Sequence, residues 1–270
     1  MSEGRKNGFS FPRSSNQVYS WAGQLLSLSL FYPCMIAFIA GNGDNNARDV
    51  AVILVALHAF IVLVSFGLWY FIESHDPAEE SCWSKCLPNS ERWTKLKYDR
   101  MHKKRIEGLD HFCEWLNTSI GRSNYLPFIL LVSLGFIQFC LQFTLCMLLL
   151  VPWAKQARDA VSTEGDPKGV AFTCAVVILA IVSISILFMY SMLLFFHMYL
   201  GYLGISTYDY TIESSRAYRQ RQKLEQTHNA ASKQKSSSSS SGIADTDTDT
   251  ELGLPTSEMV SKNGEQTLDS

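Results

Sequence analysis

Apolar residues in this chain are gathered into four blocks separated by polar stretches, rather than spread at a helical or strand period. The first runs from Trp21 to Ala40 and contains Pro33. The second is Val50 to Ile72, the third Tyr125 to Val151, and the fourth Val170 to about Leu203. A run of about 20 apolar residues is the length that crosses a bilayer as a helix, so the pattern predicts four transmembrane helices. Proline is tolerated inside the first because neighbouring helices can satisfy the carbonyl it frees. A cleavable leader is the rival for this block, but its apolar run exceeds the ~7–15 residues of a leader core. Trp69 and Tyr70 close the second block, and Pro152 and Trp153 the third, as interfacial aromatics do. The fourth block is longer than one crossing requires, so its end is expected to continue as helix beyond the membrane.

The fold class is therefore all-α integral membrane, with four transmembrane helices and a cytosolic cysteine-bearing loop between helices 2 and 3. The expected divisions are an N-terminus over 1–20, helices 1 and 2 over 21–72, the loop over 73–124, helices 3 and 4 over 125–205, a segment over 206–231 and a tail over 232–270. Charge orients this arrangement. The link over 41–49 has one basic residue, Arg48, whereas the loop over 73–124 has nine. Short loops rich in Lys and Arg stay in the cytosol, which places the loop and both termini there. Cytosolic thiols are kept reduced, so Cys82, Cys86 and Cys113 are not read as a disulfide set. Across the whole chain 23 basic residues meet 25 acidic ones, for a net charge of −2, which leaves no electrostatic case for nucleic acid.

Within the spans, Gln138, Gln142 and Thr144 can bond to neighbouring helices, and His58 reads as a neutral imidazole bonded to a neighbour. The basic run SSRAYRQRQKLEQ suits either anionic lipid or a solvated face. From Ser232 a serine run gives way to alternating Asp and Thr, a composition that cannot bury enough apolar area to fold.

The candidate chemistry lies in Gly108–Tyr125, GLDHFCEWLNTSIGRSNY, just before the third block. Asp110, His111 and Cys113 fall within four residues. A thiol is a nucleophile only as thiolate. A neighbouring His can take its proton, and an Asp can fix the tautomer of that His. Lys103, Lys104 and Arg105 favour a thiolate and attract phosphates. An isolated D-H-x-C string matches by chance more often than not, so the plainer reading is a free cysteine packed under the loop. Cys82 and Cys86 have a zinc-like spacing, but two cysteines do not make the four ligands of a structural site.

The stretch LDHFCEWLNTSIGRSNY resembles the signature of the DHHC protein S-acyltransferases, close to DHHCPWLNNCIGRRNY. Tyr210, Thr211, Ile212 and Glu213 resemble the Thr-Thr-x-Glu motif of that family, with Tyr210 replacing its first Thr. The segment from His197 to Leu203 fits the end of the family's fourth helix. The resemblance implies transfer of a long fatty acyl group, commonly palmitoyl, from acyl-CoA to protein cysteines. Carried over by position, Cys113 is the acyl-accepting nucleophile, His111 its base and Asp110 the residue that orients the base. Thr211 and Glu213 become structural supports of the loop. The implied partners are palmitoyl-CoA as co-substrate, cytosolic-face proteins with cysteines near the membrane, and the lipid bilayer of the Golgi or endoplasmic reticulum.

The departures concern metal. Phe112 and Ser119 stand where the family has zinc ligands, and Tyr98, Asp99, His102 and Arg105 stand where it has closely spaced cysteines and a His-Cys pair. The structural zincs are therefore expected to be absent, with no prosthetic group in their place. A small aromatic core of Trp93, Tyr98, Phe112 and Trp115 is the expected substitute. Glu114, in place of the usual proline, adds a negative charge beside Cys113. Two other readings stay open: a catalytically inactive relative that scaffolds client proteins, and a tetraspan organiser without acyl chemistry.

Overall fold

The computed structural model describes residues 4–161 and 167–238. Helices α1 (Ser15–Gly41) and α2 (Asn45–Ser74) form a hairpin. The loop follows, with a 3-10 turn at Cys82–Cys86, a short α3 (Glu91–Thr94), and strands β1 (Leu96–Asp99), β2 (Lys104–Glu107), β3 (His111–Cys113) and β4 (Thr118–Ile120). Then come α4 (Tyr125–Leu150), α5 (Ala154–Val161), α6 (Pro167–Leu203) and α7 (Thr207–Ser238). Helices α1, α2, α4 and α6 are long and apolar enough to cross a membrane, so the chain is a multi-pass membrane protein of the expected four-helix class.

Helix ends are set by caps rather than by the apolar blocks. Helix α1 starts ahead of Trp21 because the Ser14 hydroxyl accepts from the Asn16 amide at 3.2 Å. The Asp44 carboxylate does the same for α2, accepting from the Asn46 and Ala47 amides at 2.9 and 3.4 Å. Pro33 sits inside α1 without ending it.

Polar contacts tie the bundle together. Gln142 on α4 donates to Ser27 on α1 at 2.9 Å and to Ser183 on α6 at 2.8 Å. His58 Nδ1 lies 3.2 Å from the Tyr32 hydroxyl, the neighbour-bonded state expected of it. Thr144 differs from expectation: its hydroxyl is spent on Cys140 of its own helix, at 2.8 Å. At the loop end, Glu73 Oε1 accepts from the indoles of Trp69 and Trp21, at 2.7 and 3.2 Å, joining α2 to α1.

The loop folds as two antiparallel hairpins. β1 pairs with β2 in the register Leu96↔Glu107 to Asp99↔Lys104, and β3 with β4 in the register His111↔Ile120 to Cys113↔Thr118. Their buried positions are largely polar (Lys97, Asp99, Thr118, Ser119), so no apolar alternation advertised them. The apolar strand positions Ile106, Cys113 and Ile120 are buried as well, as is Trp93 of α3. The expected four-residue aromatic core is not formed. Trp93 is 5% exposed and packs on Tyr125, but Tyr98 and Trp115 are 56% and 43% exposed. Their strand and turn positions face outward because the buried faces are taken by hydrogen-bonded polar side chains.

Residues from Ala217 onward form a separate unit. Its described part is the helical run to Ser238. The tail read as unfolded thus begins inside α7, over 232–238, and residues 239–270 lie outside the described residues.

Candidate active site

Asp110 and His111 are neighbours at the mouth of the second hairpin. The Asp110 amide donates to the Ile120 carbonyl at 2.8 Å, which fixes where its side chain starts. That side chain is fully buried. His111 Nδ1 lies 2.9 Å from Asp110 Oδ2, which leaves Nε2 as the basic nitrogen. The Cys113 sulfur is close enough to the ring to act on its charge. Cys113, two residues on in the same strand, is on the same face as His111 because side chains in a strand repeat every second residue. Cys113 itself is buried. Glu114, next to it, is exposed and accepts from Asn16 Nδ2 at 2.7 Å, so its charge is engaged by α1.

The electrostatics follow from this chain of contacts. Burial works to raise the Asp110 pKa, but hydrogen bonds and charge from His111, and hydrogen bonds from Thr207, hold it down at about 2. Burial works to lower the His111 pKa. Asp110 and Cys113 outweigh it and raise the imidazole to about 9. Near neutral pH the ring is therefore an imidazolium between a carboxylate and a sulfur.

Further residues complete the shell, none of them assigned from sequence. Thr207 donates to Asp110 twice, from its hydroxyl to Oδ2 at 2.7 Å and from its amide to Oδ1 at 3.1 Å. Buried Lys97 donates to Ser206 Oγ and Asp209 Oδ2, both at 2.8 Å. Arg92 stacks 4.4 Å over Trp93 and sits 3.6 Å from Asp110 Oδ1. His197 on α6 is 4% exposed, its ring 5.4 Å from that of His111.

These contacts correct the second motif. Thr211 and Glu213 are exposed on α7, and the Thr211 hydroxyl goes to Thr207 of its own helix at 2.8 Å. The residues that reach the loop are Ser206, Thr207 and Asp209. They also satisfy the pattern hydroxyl-Thr-x-acid, one turn earlier. Conservative replacement, Ser for Thr and Asp for Glu, was the signal that could have found them. Arg92 and His197 carried no such signal.

A family model for DHHC palmitoyltransferases matches residues 77–214, which takes in the hairpins, α4, α6 and the start of α7. The chain belongs to the DHHC palmitoyltransferase family. It is also 30% identical over 224 residues to probable protein S-acyltransferase 20 of Arabidopsis thaliana, a match covering 76% of this chain and 32% of that protein. The chain spans about a third of the length of that curated relative.

The family's zinc does not suit the residues present. Asp99, His102 and Ser119 come together, but their facing atoms are bound to one another. His102 Nδ1 lies 2.6 Å from Asp99 Oδ2, and the Ser119 hydroxyl donates to the same oxygen at 2.7 Å. Phe112, whose ring centroid is 6.3 Å from that of His102, offers no ligand atom. Tyr98 and Arg105 face each other across β1 and β2 and are exposed, as are Cys82 and Cys86. A structural zinc takes four thiolate, imidazole or carboxylate donors, and these residues do not supply them. Among the described residues, Asp110, His111 and His197 do bring possible ligand atoms within 4.8 Å of one another. In that trio Asp110 is already engaged by the Arg92 guanidinium, 3.6 Å away, and by His111.

Proposed function

We propose that this chain is a protein S-acyltransferase that moves a long fatty acyl group, palmitoyl in the first instance, from acyl-CoA to protein cysteines through a thioester on Cys113. The observation that carries the reading is the Asp110–His111 hydrogen bond, with buried Cys113 two residues on in the same strand and on the same face as His111. In the first step the Cys113 thiol proton is already carried on His111 Nε2, as the imidazolium. The Cys113 sulfur attacks the thioester carbonyl, the bond from that carbon to the CoA sulfur breaks, and His111 returns the proton to the departing CoA. In the second step His111 takes the proton of a substrate thiol. That sulfur attacks the Cys113 thioester, the bond from the acyl carbon to the Cys113 sulfur breaks, and the proton stays on His111, which restores the starting imidazolium. Asp110 holds the imidazole in the tautomer that presents Nε2, and Thr207 and Arg92 hold Asp110. The substrates are proteins with cysteines close to the bilayer on the cytosolic side of the Golgi or endoplasmic reticulum, where the basic loop belongs by the positive-inside rule.

The test is labelling of the purified protein with alkyne-tagged palmitoyl-CoA, wild type beside Cys113→Ser. The expected result is label that hydroxylamine removes and that Cys113→Ser lacks. A folded protein that takes up no label is an inactive scaffold, and label that never passes to any substrate cysteine leads to the same conclusion.

A further inference from the structure

We propose that the loop carrying Cys113 is held in place without metal, by a buried hydrogen-bonded trio on its inner side and by the N-terminal segment strapped over its outer side. The inner part is Asp99, His102 and Ser119. Asp99 turns the hairpin, accepting from the Met101 and His102 amides at 3.1 and 3.2 Å as well as from the His102 ring and the Ser119 hydroxyl. One carboxylate thereby ties the first hairpin to β4 of the second, a cross-link between the same two pieces of chain that a shared ion would join. His102 and Ser119 are fully buried, so water does not compete for these bonds.

The outer part begins at Gly4. A Cβ on Gly4 would fall 2.1 Å from the His102 carbonyl oxygen, and one on Gly8 would fall 2.5 Å from that of Leu116. Only glycine allows the strap this close. The Arg5 guanidinium bonds Asn117 Oδ1 and lies 5.8 Å over the Phe112 ring. Phe112 thus serves as a cation-binding face at the position where the family has a metal ligand. Asn117 Nδ2 donates to the Gly8 and Ser10 carbonyls, at 2.9 and 3.2 Å. Asn117 is fully buried with a φ of 50°, a left-handed conformation that Asn tolerates better than most residues. Its amide group is consumed at both ends by the strap, so the turn that follows Cys113 is fixed by residues of the N-terminus. The strap is anchored in turn to α2, with the Gly8 amide on the Glu73 carbonyl at 2.9 Å and Asn7 Nδ2 on the Ser74 carbonyl at 2.8 Å. Arg5, Gly8 and Asn117 are positioning residues for Cys113.

The test uses the full chain in detergent micelles and two readouts independent of acyl transfer, which can be repeated on Cys113→Ser: metal content by elemental analysis, and amide hydrogen exchange over 96–120. Wild type is expected to hold far less than one zinc per chain, and exchange in β3 and β4 is expected to stay unchanged when a strong chelator is added. Gly8→Val and Asp99→Asn should each speed exchange there by about tenfold or more, whereas Lys6→Ala, an exposed side chain in the same segment, should not. Stoichiometric zinc whose removal loosens the hairpins would overturn the proposal. So would a Gly8→Val protein that inserts normally and keeps wild-type exchange over 111–120. Should Gly8→Val fail to fold, Arg5→Ala, which only trims a side chain, reads the same contact. Neither outcome depends on whether Cys113 takes an acyl group.

Discussion

Thr207 and Thr211 occupy successive turns of one helix, and only the first touches Asp110. A hydrogen bond to a charged group is worth about 1.5–3 kcal/mol, so Thr207→Val should slow acyl loading of Cys113 by on the order of tenfold or more. Thr211→Val should leave it within about twofold, because an exposed hydroxyl bonded to its own helix contributes little. Equal rates for the two variants, measured by alkyne labelling, would return the supporting role to the later turn. The His111 pKa gives a second expectation. It rises from 6.5 to about 9 in the fold, so its stabilisation is complete below about pH 6.5 and is lost as pH climbs through about 9. Asp110 runs the other way: lowered from 3.8 to about 2, it stabilises above about pH 4 and loses that contribution as pH falls towards 2. The melting-temperature gap between wild type and His111→Gln in detergent should therefore narrow between about pH 6 and about pH 10. A gap that widens over that range contradicts the assigned contacts.

At the scale of elements, the site is a meeting of three segments, and Lys97 is where two of them are fastened. From β1 its ammonium reaches the Leu109 carbonyl at 3.3 Å within the loop, and Ser206 and Asp209 at the junction after α6. Asp209 has its pKa lowered against the pull of burial by that contact and by Ser206. Lys97→Met removes the fastening but keeps the aliphatic stem. The expected result is faster amide exchange over 206–213, with α4 unchanged, and slower loading of Cys113 through Thr207. If exchange over 206–213 does not move, the junction is held by the Thr207–Asp110 bonds alone. The sequence showed these elements unevenly. Spans of apolar residues announce helices directly, whereas β1 to β4 are three or four residues long with polar interiors. Their pairing is decided by Asp99, Ser119 and Lys97 finding partners far along the chain, which no local period records.

At the scale of the molecule, the N-terminal strap, the loop and the junction after α6 all gather at one end of the bundle, while the link over 42–44 and α5 lie at the other. With nine basic residues in the loop against one in the link over 41–49, the gathered end is expected to face the cytosol. A glycosylation acceptor placed in the link over 42–44 should be modified in microsomes, and one placed over 77–90 should not. The reverse pattern would invert the orientation and remove the proposed site from acyl-CoA.

Sequence alone determined the four spans, because bilayer thickness and backbone hydrogen bonding leave an apolar run of that length little choice but a helix. It also determined the Asp110–His111–Cys113 string and its likeness to a family, because those residues are adjacent in the chain. Only the tertiary structure decided which hydroxyl meets Asp110 and which acid meets Lys97, since Thr207 and Asp209 differ from Thr211 and Glu213 by one helical turn and by what they meet. It alone brought Arg5, Gly8 and Asn117 together. Those residues are joined by hydrogen bonds across roughly a hundred positions of chain, and such contacts exist only once the helices have brought the N-terminus and the loop to the same end.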